Sequence, residues 1–132
     1  MTSSFRPDPA LAIALALVAA ACAAVPAAPA GAAGGAGERL FDKYCYACHS
    51  VDRGRNKTGP SLHGVVGRVA GGEPASYMYS EAMRDSGLTW TEDRLDAYLA
   101  NPAKLVPGTH MTFGGVSDPG ERAALIDYLK TP

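Results

Sequence analysis

The chain has 132 residues, which is enough for one domain of ordinary size. It carries 12 Lys and Arg residues against 13 Asp and Glu residues, and this balance disfavours a nucleic-acid-binding protein, which would show a basic patch. Three cysteines are too few for a disulfide-based scaffold, and Cys22 lies in an apolar leader. The folded part therefore has Cys45 and Cys48 for any chemistry that needs a thiol.

The N-terminal segment predicts an export signal. Residues 10–25 contain no charged side chain, and a helix of this length spans about 24 Å, which is less than the ~30 Å of a bilayer core. Arg6 precedes the run and small residues follow it, as in a cleavable signal peptide. We predict a signal peptide over 1–30, a flexible linker over 31–37 and one domain over 38–132. The alternative is an uncleaved anchor in the inner membrane, with the domain facing the periplasm.

The first half of the domain predicts a helix followed by a long loop. Leu40, Phe41 and Tyr44 have helical spacing, which favours an amphipathic helix over 38–47. Residues 50–76 are rich in glycine and turn signals, and they should be loop. A short segment over 80–84 has room for one or two helical turns.

Two helices are predicted in the second half. Residues 89–92 have capping-box spacing with Thr89 as the cap, and an apolar stripe at helical spacing follows them until Asn101-Pro102 ends the helix. After a loop over 107–116, Asp118 predicts the N-cap of a last helix. The buried face of this last helix should consist of Leu125, Tyr128 and Leu129.

These elements give an all-α domain with unusually long loops. A domain of this size with so much loop has difficulty filling a hydrophobic core. Long loops without secondary structure point to a functional reason. A large bound apolar group would supply the missing core.

The central motif is C-x-x-C-H over residues 45–49, which is typical of covalent haem attachment. Two thiols at this spacing can each add to one vinyl group of the same haem, and His49 then ligates the iron. A zinc half-site would need His63 or His110 as further ligands, and neither lies in a second paired motif. A dithiol redox site lacks the usual βαβ context, and a structural disulfide leaves His49 unexplained.

The loop over 107–115 offers two candidates for the second axial ligand. Met111 is a thioether that would raise the reduction potential and suit electron transfer. His110 beside it would instead give ligation by two histidines and a lower potential.

From Gly37 to Tyr128 the sequence resembles the class I cytochromes c, which include soluble periplasmic carriers of bacteria and the mitochondrial protein. Four motifs carry the resemblance: CYACH at 45–49, NKTGPSLHGVVGR at 56–68, GLTW at 87–90 and NPAKLVPGTHM at 101–111. The resemblance implies a small cytochrome c fold. Its three to five short helices and long loops would wrap one covalently bound haem, and its N- and C-terminal helices would cross.

The resemblance also implies roles for individual residues. His49 and Met111 would be the two iron ligands, and the carbonyl group of Pro60 would orient His49. The haem propionates would be held by Arg68, Tyr79 and Trp90. Tyr98 would hydrogen-bond near the Met111 sulfur, with Thr109 supporting the loop and Phe113 lying against the exposed haem edge. Gly37 and Phe41 would cross Leu125 and Tyr128.

The implied function is one-electron transfer in the periplasm by a monomeric carrier that is not an enzyme. The expected donor is a quinol–cytochrome c oxidoreductase. The expected acceptor is a terminal oxidase, a peroxidase or a photosynthetic reaction centre. A membrane-tethered donor module is one alternative, and a haem enzyme or sensor with an open sixth site is another.

Three departures from the family pattern carry information. Met83 stands where an asparagine is expected beside the haem, which predicts a drier pocket. His110 stands where the mitochondrial proteins have lysine. Tyr44 and Ala103 also replace cations of the lysine ring around the haem edge, so we expect weak salt dependence with membrane partners.

Overall fold

The computed structural model describes residues 30–132, so the predicted signal peptide or anchor lies, up to residue 29, outside the described residues. Five helices follow one another in this range: α1 Ala30–Tyr44, α2 Glu81–Arg84, α3 Glu92–Ala100, α4 Pro102–Leu105 and α5 Pro119–Leu129. Between residues 30 and 132 there is no strand, although Val69 and Thr89 form one isolated antiparallel bridge. None of these helices has the length and apolar character needed to cross a membrane. The all-α architecture is as predicted.

Helix α1 is longer at its start than the sequence analysis predicted. It begins at Ala30, so residues 31–37, predicted as a flexible linker, form its first half. Alanine has the highest helix propensity, and four alanines between residues 30 and 37 offset the cost of the interspersed glycines. The helix ends at Tyr44 instead of residue 47, because the N–H groups of Cys45 and Tyr46 both bond to the Phe41 carbonyl oxygen and tighten the chain into a turn.

The first and last helices cross at Gly37, as expected. A Cβ atom at this position would overlap the Ala124 carbonyl oxygen and the Tyr128 Cβ atom, so only glycine allows the two backbones to approach this closely. The Phe41 and Tyr128 rings lie beside this crossing with centroids 5.7 Å apart. Leu125 beneath them is fully buried. This crossing forms one side of the hydrophobic core.

The middle of the chain differs from the sequence prediction in two details. Thr91, not Thr89, caps α3, because its side chain accepts a hydrogen bond from the Arg94 N–H, whereas Thr89 is engaged in the bridge to Val69. Helix α4 was not predicted. Asn101 ends α3 and caps α4 as well, since its Oδ1 atom accepts from the Lys104 N–H at 3.0 Å.

Helix α5 begins as predicted. The Asp118 side chain accepts a hydrogen bond from the Glu121 N–H at 2.8 Å, and Pro119 occupies the first turn. The buried face contains Ile126 in addition to the predicted leucines, while Tyr128 is half-buried at the crossing. Helix α5 therefore covers the core with aliphatic side chains, and Tyr128 packs at the edge of the core, beside the crossing with α1.

The crossing predicts a large effect of Gly37→Ala. The added methyl group has no space against α5, so we expect a loss of about 2 kcal/mol of unfolding free energy. Chemical denaturation of the purified protein measures it. Gly35→Ala is the matched control in the same helix, because its Cβ would meet only the end of the Arg39 side chain, at 3.5 Å. That variant should gain up to about 1 kcal/mol from helix propensity. A Gly37→Ala protein as stable as the parent contradicts this account.

Candidate functional site

A cavity that is open to solvent lies inside the ring of helices and loops. Its floor is apolar and includes Leu62, Val65, Leu95, Leu99 and Leu129. The helices and loops therefore surround a space with an apolar lining that suits one large apolar group.

The predicted site residues all lie on the wall of this cavity. The lining includes Cys45, Cys48, His49, Pro60, Arg68, Tyr79, Trp90, Tyr98, Thr109, Met111 and Phe113. The fold thus brings together the motif at the end of α1, the long loop after it, and the loop before α5. Their roles toward a bound group remain predictions, and the geometry decides what each side chain can do.

The His49 imidazole has one nitrogen fixed and the other available. Its Nδ1 atom lies 2.8 Å from the Pro60 carbonyl oxygen. Because a carbonyl oxygen only accepts, Nδ1 carries the proton and Nε2 keeps its lone pair for a metal. Burial lowers the pKa of His49, an effect that the Pro60 carbonyl opposes and the Lys57 charge assists. The ring is therefore a neutral imidazole with a defined tautomer.

The two thiols differ in exposure. Cys45 is buried and Cys48 is exposed, both line the cavity, and within residues 30–132 neither forms a disulfide. Burial, with a smaller contribution from Cys48, raises the pKa of the Cys45 thiol to about 11. The N–H groups of Cys48 and His49 both bond to the Cys45 carbonyl oxygen, at 3.0 and 2.8 Å. This turn presents two thiols and one imidazole to the same space.

Gly59 is a functional residue that the sequence analysis missed. A Cβ atom here would overlap the His49 imidazole ring. The absence of a side chain at Gly59 therefore creates the slot in which the ring lies. Its N–H also bonds to the Cys48 carbonyl oxygen at 2.7 Å, which ties the loop to the motif. The available signal was the Thr58-Gly59-Pro60 turn, which indicates a loop and says nothing of the neighbouring ring.

Another part of the cavity wall carries Met111, on a loop fixed by hydrogen bonds. The hydroxyl groups of Tyr98 and Thr109 share a hydrogen bond of 2.9 Å. The Met111 N–H donates to the same Thr109 oxygen at 3.3 Å. Tyr98 was expected to hydrogen-bond near the Met111 sulfur, and its partner is Thr109, two residues before it. The two hydroxyls therefore hold the backbone that presents Met111 to the cavity.

The polar side of the cavity contains an unpaired donor. Arg68 donates from Nη2 to the Ser61 carbonyl oxygen at 3.1 Å, while its buried Nε–H has no partner among residues 30–132. The Tyr79 hydroxyl donates to the Glu73 carbonyl oxygen. A buried unpaired donor of a guanidinium group favours an anionic partner. A large apolar ring with carboxylate substituents, attached through the two thiols and ligated by His49, fits this arrangement of donors and walls.

The comparisons with known proteins agree with this geometry. The sequence model of the family "Cytochrome c" matches residues 35–132. The chain belongs to the cytochrome c family. This family membership favours haem attachment over the zinc, dithiol and disulfide interpretations of the motif. Cytochromes c carry haem covalently through paired cysteines, and Cys45 and Cys48 are the attachment thiols here.

Individual cytochromes c confirm the extent of the match. Cytochrome c2 of Rhodopila globiformis is 53% identical over 95 residues, which cover 72% of this chain and 89% of that protein. Cytochrome c type-1 of Ascaris suum is 45% identical, over 71% of this chain and 83% of its own length. The solved structure of cytochrome cH from Methylobacterium extorquens aligns with a TM-score of 0.70 and 46% identity, covering 75% of this chain and 98% of that one.

The slot beside His49 predicts that Gly59→Ala weakens the haem-loaded protein. The methyl group would displace the imidazole and break its bond to Pro60, so we expect a loss on the order of 2 kcal/mol in unfolding free energy. Thermal unfolding followed by haem absorption measures it. Gly114→Ala is the control, since its Cβ would meet no atom of the described part of the chain within 4 Å. Equal stability of the two variants would show that the slot is not constraining.

Proposed function

We propose that this haem-based electron carrier uses His49 and Met111 as axial ligands and carries single electrons in the periplasm between membrane redox complexes. The observation that carries the proposal is that both side chains line one cavity, with the His49 ring fixed by its bond to Pro60 and the Met111 backbone fixed by its bond to Thr109. When bound, the haem supplies an iron that alternates between the ferrous and ferric states. The chain supplies ligands, burial and an exposed edge.

The ligands and walls of the cavity favour a high reduction potential. A thioether such as Met111 stabilises ferrous iron more than a second imidazole does. The buried Met83 side chain and the leucines of the cavity floor lower the local polarity, which disfavours the extra charge of ferric iron. With both axial sites filled, the iron would take no substrate, so little reorganisation would accompany electron transfer.

Charge on the described surface supports partners that need little electrostatic attraction. Lys43 is paired with Glu121, and Lys130 with Glu92 and Asp127. These pairs reduce the positive field that lysines at a haem edge would otherwise produce.

Lys57 is also engaged locally. Its ammonium group donates to the Tyr46 carbonyl oxygen and lies 3.4 Å from the centroid of the Tyr46 ring.

We propose a quinol–cytochrome c oxidoreductase as donor and a terminal oxidase, peroxidase or photosynthetic reaction centre as acceptor. The contacts would be small and transient, as in redox encounters.

Two other functions compete with a free carrier. An enzyme or gas sensor needs an open sixth site, which Met111 opposes from its place on the cavity wall. A tethered donor module would have the same domain chemistry with an uncleaved leader. The mass of the mature chain separates the tethered form from the free one.

The ligand set predicts a spectrum. The oxidised wild-type protein should be low-spin with a weak far-red band of the methionine–iron bond, and its reduced form should not bind carbon monoxide at neutral pH. Met111→Ala should lose the band and bind carbon monoxide, while His110→Ala should keep the wild-type properties. A wild-type low-spin spectrum without the band would identify His110 as the ligand, and a high-spin spectrum would favour an enzyme or sensor.

The charge pattern predicts weak salt dependence. The rate of electron transfer to a membrane oxidase should change by less than about threefold between 20 and 200 mM salt, because Tyr44 and Ala103 replace cations that would steer the encounter. Stopped-flow oxidation of the reduced protein measures this rate. Ala103→Lys, which adds a cation beside Lys104, should increase the salt dependence. A steep loss of rate with salt in the wild-type protein would contradict the proposal.

A further inference from the structure

Tyr44 links three parts of the fold at the cavity. It is the last residue of α1, directly before Cys45, and its half-buried side chain lies on the cavity wall. Its hydroxyl donates to Glu121 Oε2 at 2.7 Å, although 77 residues separate the two. Its ring meets the Phe113 ring edge-on, with centroids 6.2 Å apart and an interplanar angle of 63°. Tyr44 therefore joins α1, the first turn of α5 and the loop that carries Met111.

The Glu121 carboxylate is a firm anchor for this hydroxyl. The Asp118 cap accepts from the Glu121 N–H and fixes the residue in the first turn of α5. A hydroxyl that donates to a carboxylate makes a stronger hydrogen bond than a pair of neutral groups. Lys43 approaches the other carboxylate oxygen at 3.4 Å, but its side chain is 56% exposed, so this ion pair contributes little. The Tyr44 ring is thus held by its hydroxyl bond to Glu121 and by the Lys43 ammonium group, which lies 4.3 Å from the ring centroid.

The Met111 loop is attached at three points. Thr109 and Tyr98 hold it before Met111. The Val116 N–H bonds to the Leu99 carbonyl oxygen at 2.8 Å and holds it afterwards. Between these anchors Phe113 packs on Tyr44, while the flanking Thr112 and Gly114 are exposed. The aromatic contact is therefore placed where the loop would otherwise lift from the cavity.

We propose that Tyr44 is a positioning residue for the Met111 loop: anchored on Glu121, its ring holds Phe113 down and keeps the loop closed over the cavity. This inference rests on the proposed ligation by Met111. An external ligand reaches the iron only in the fraction of molecules whose loop is open, so its apparent affinity rises with that fraction. Tyr44 would thereby protect the sixth position from small molecules.

Imidazole binding to the oxidised, haem-loaded protein tests the proposal. Tyr44→Ala removes both the anchor and the ring, and we expect its imidazole affinity to rise about tenfold, with faster amide hydrogen exchange at residues 111–115. Tyr44→Phe keeps the ring and removes the hydroxyl, and Glu121→Ala removes the acceptor. Both should give a smaller increase of about threefold. Glu121→Gln keeps an acceptor oxygen without the charge and should restore an affinity close to that of wild type.

Tyr128→Ala is the matched control for a general loss of stability. Tyr128 packs on Phe41 in the same helix crossing. The Tyr128→Ala substitution should lower the unfolding temperature without raising the imidazole affinity. The proposal is overturned if Tyr44→Ala lowers the unfolding temperature and leaves imidazole affinity unchanged, or if Tyr128→Ala raises affinity equally. A wild-type protein without the far-red band would refute ligation by Met111, and hydrogen exchange at 111–115 would still report whether Tyr44 closes the loop.

Discussion

The placement of the His49 imidazole is the constraint on which the rest of this structure depends. The ring needs an acceptor for its Nδ1–H and room for its own atoms. The first loop supplies the acceptor with the Pro60 carbonyl oxygen, and it supplies the room because Gly59 has no side chain. The loop is tied to the motif on either side of that contact, where Gly59 bonds to Cys48 and Leu62 bonds to Ser50. A loop that follows this path cannot also form a helix, because its backbone groups are already bonded to the motif.

The remaining loops are ordered by the same kind of backbone pairing. Two hydrogen bonds join the segment around Gly67 to Trp90. The Gly67 N–H donates to the Trp90 carbonyl oxygen, and the Trp90 N–H donates to the Arg68 carbonyl oxygen. The Ala70 N–H bonds to the Leu88 carbonyl oxygen in the same region. The loops therefore form a fixed wall without regular secondary structure, and Leu62, Val65 and Trp90 from this wall line the cavity. Such a wall completes a core only when a large group fills the space inside it.

The sequence predicted those features that depend on local chemistry. Asp118 was predicted as a helix cap because its side chain needs only the N–H group three residues later. The C-x-x-C-H motif was predicted as a haem-attachment motif because its spacing alone brings two thiols and one imidazole together. The start of α1 was missed because glycines alternate with alanines over residues 30–37 and weaken the helical signal of the alanines. Gly59 and the Tyr44–Glu121 bond were missed because each acts on a residue that is not its neighbour in sequence. Contacts over such separations leave no periodic signal in one sequence.

Tyr44 also connects the surface chemistry with the internal packing. A lysine at this position could pair with Glu121 only through an exposed ion pair, which salt weakens and which contributes little. A tyrosine bonds to the same carboxylate through a neutral hydroxyl and adds a ring for Phe113 to pack on. The exchange removes a positive charge from the mouth of the cavity and strengthens the contact that faces the Met111 loop. In the role proposed for Tyr44, one side chain therefore removes one cation of the lysine ring and also holds the loop closed.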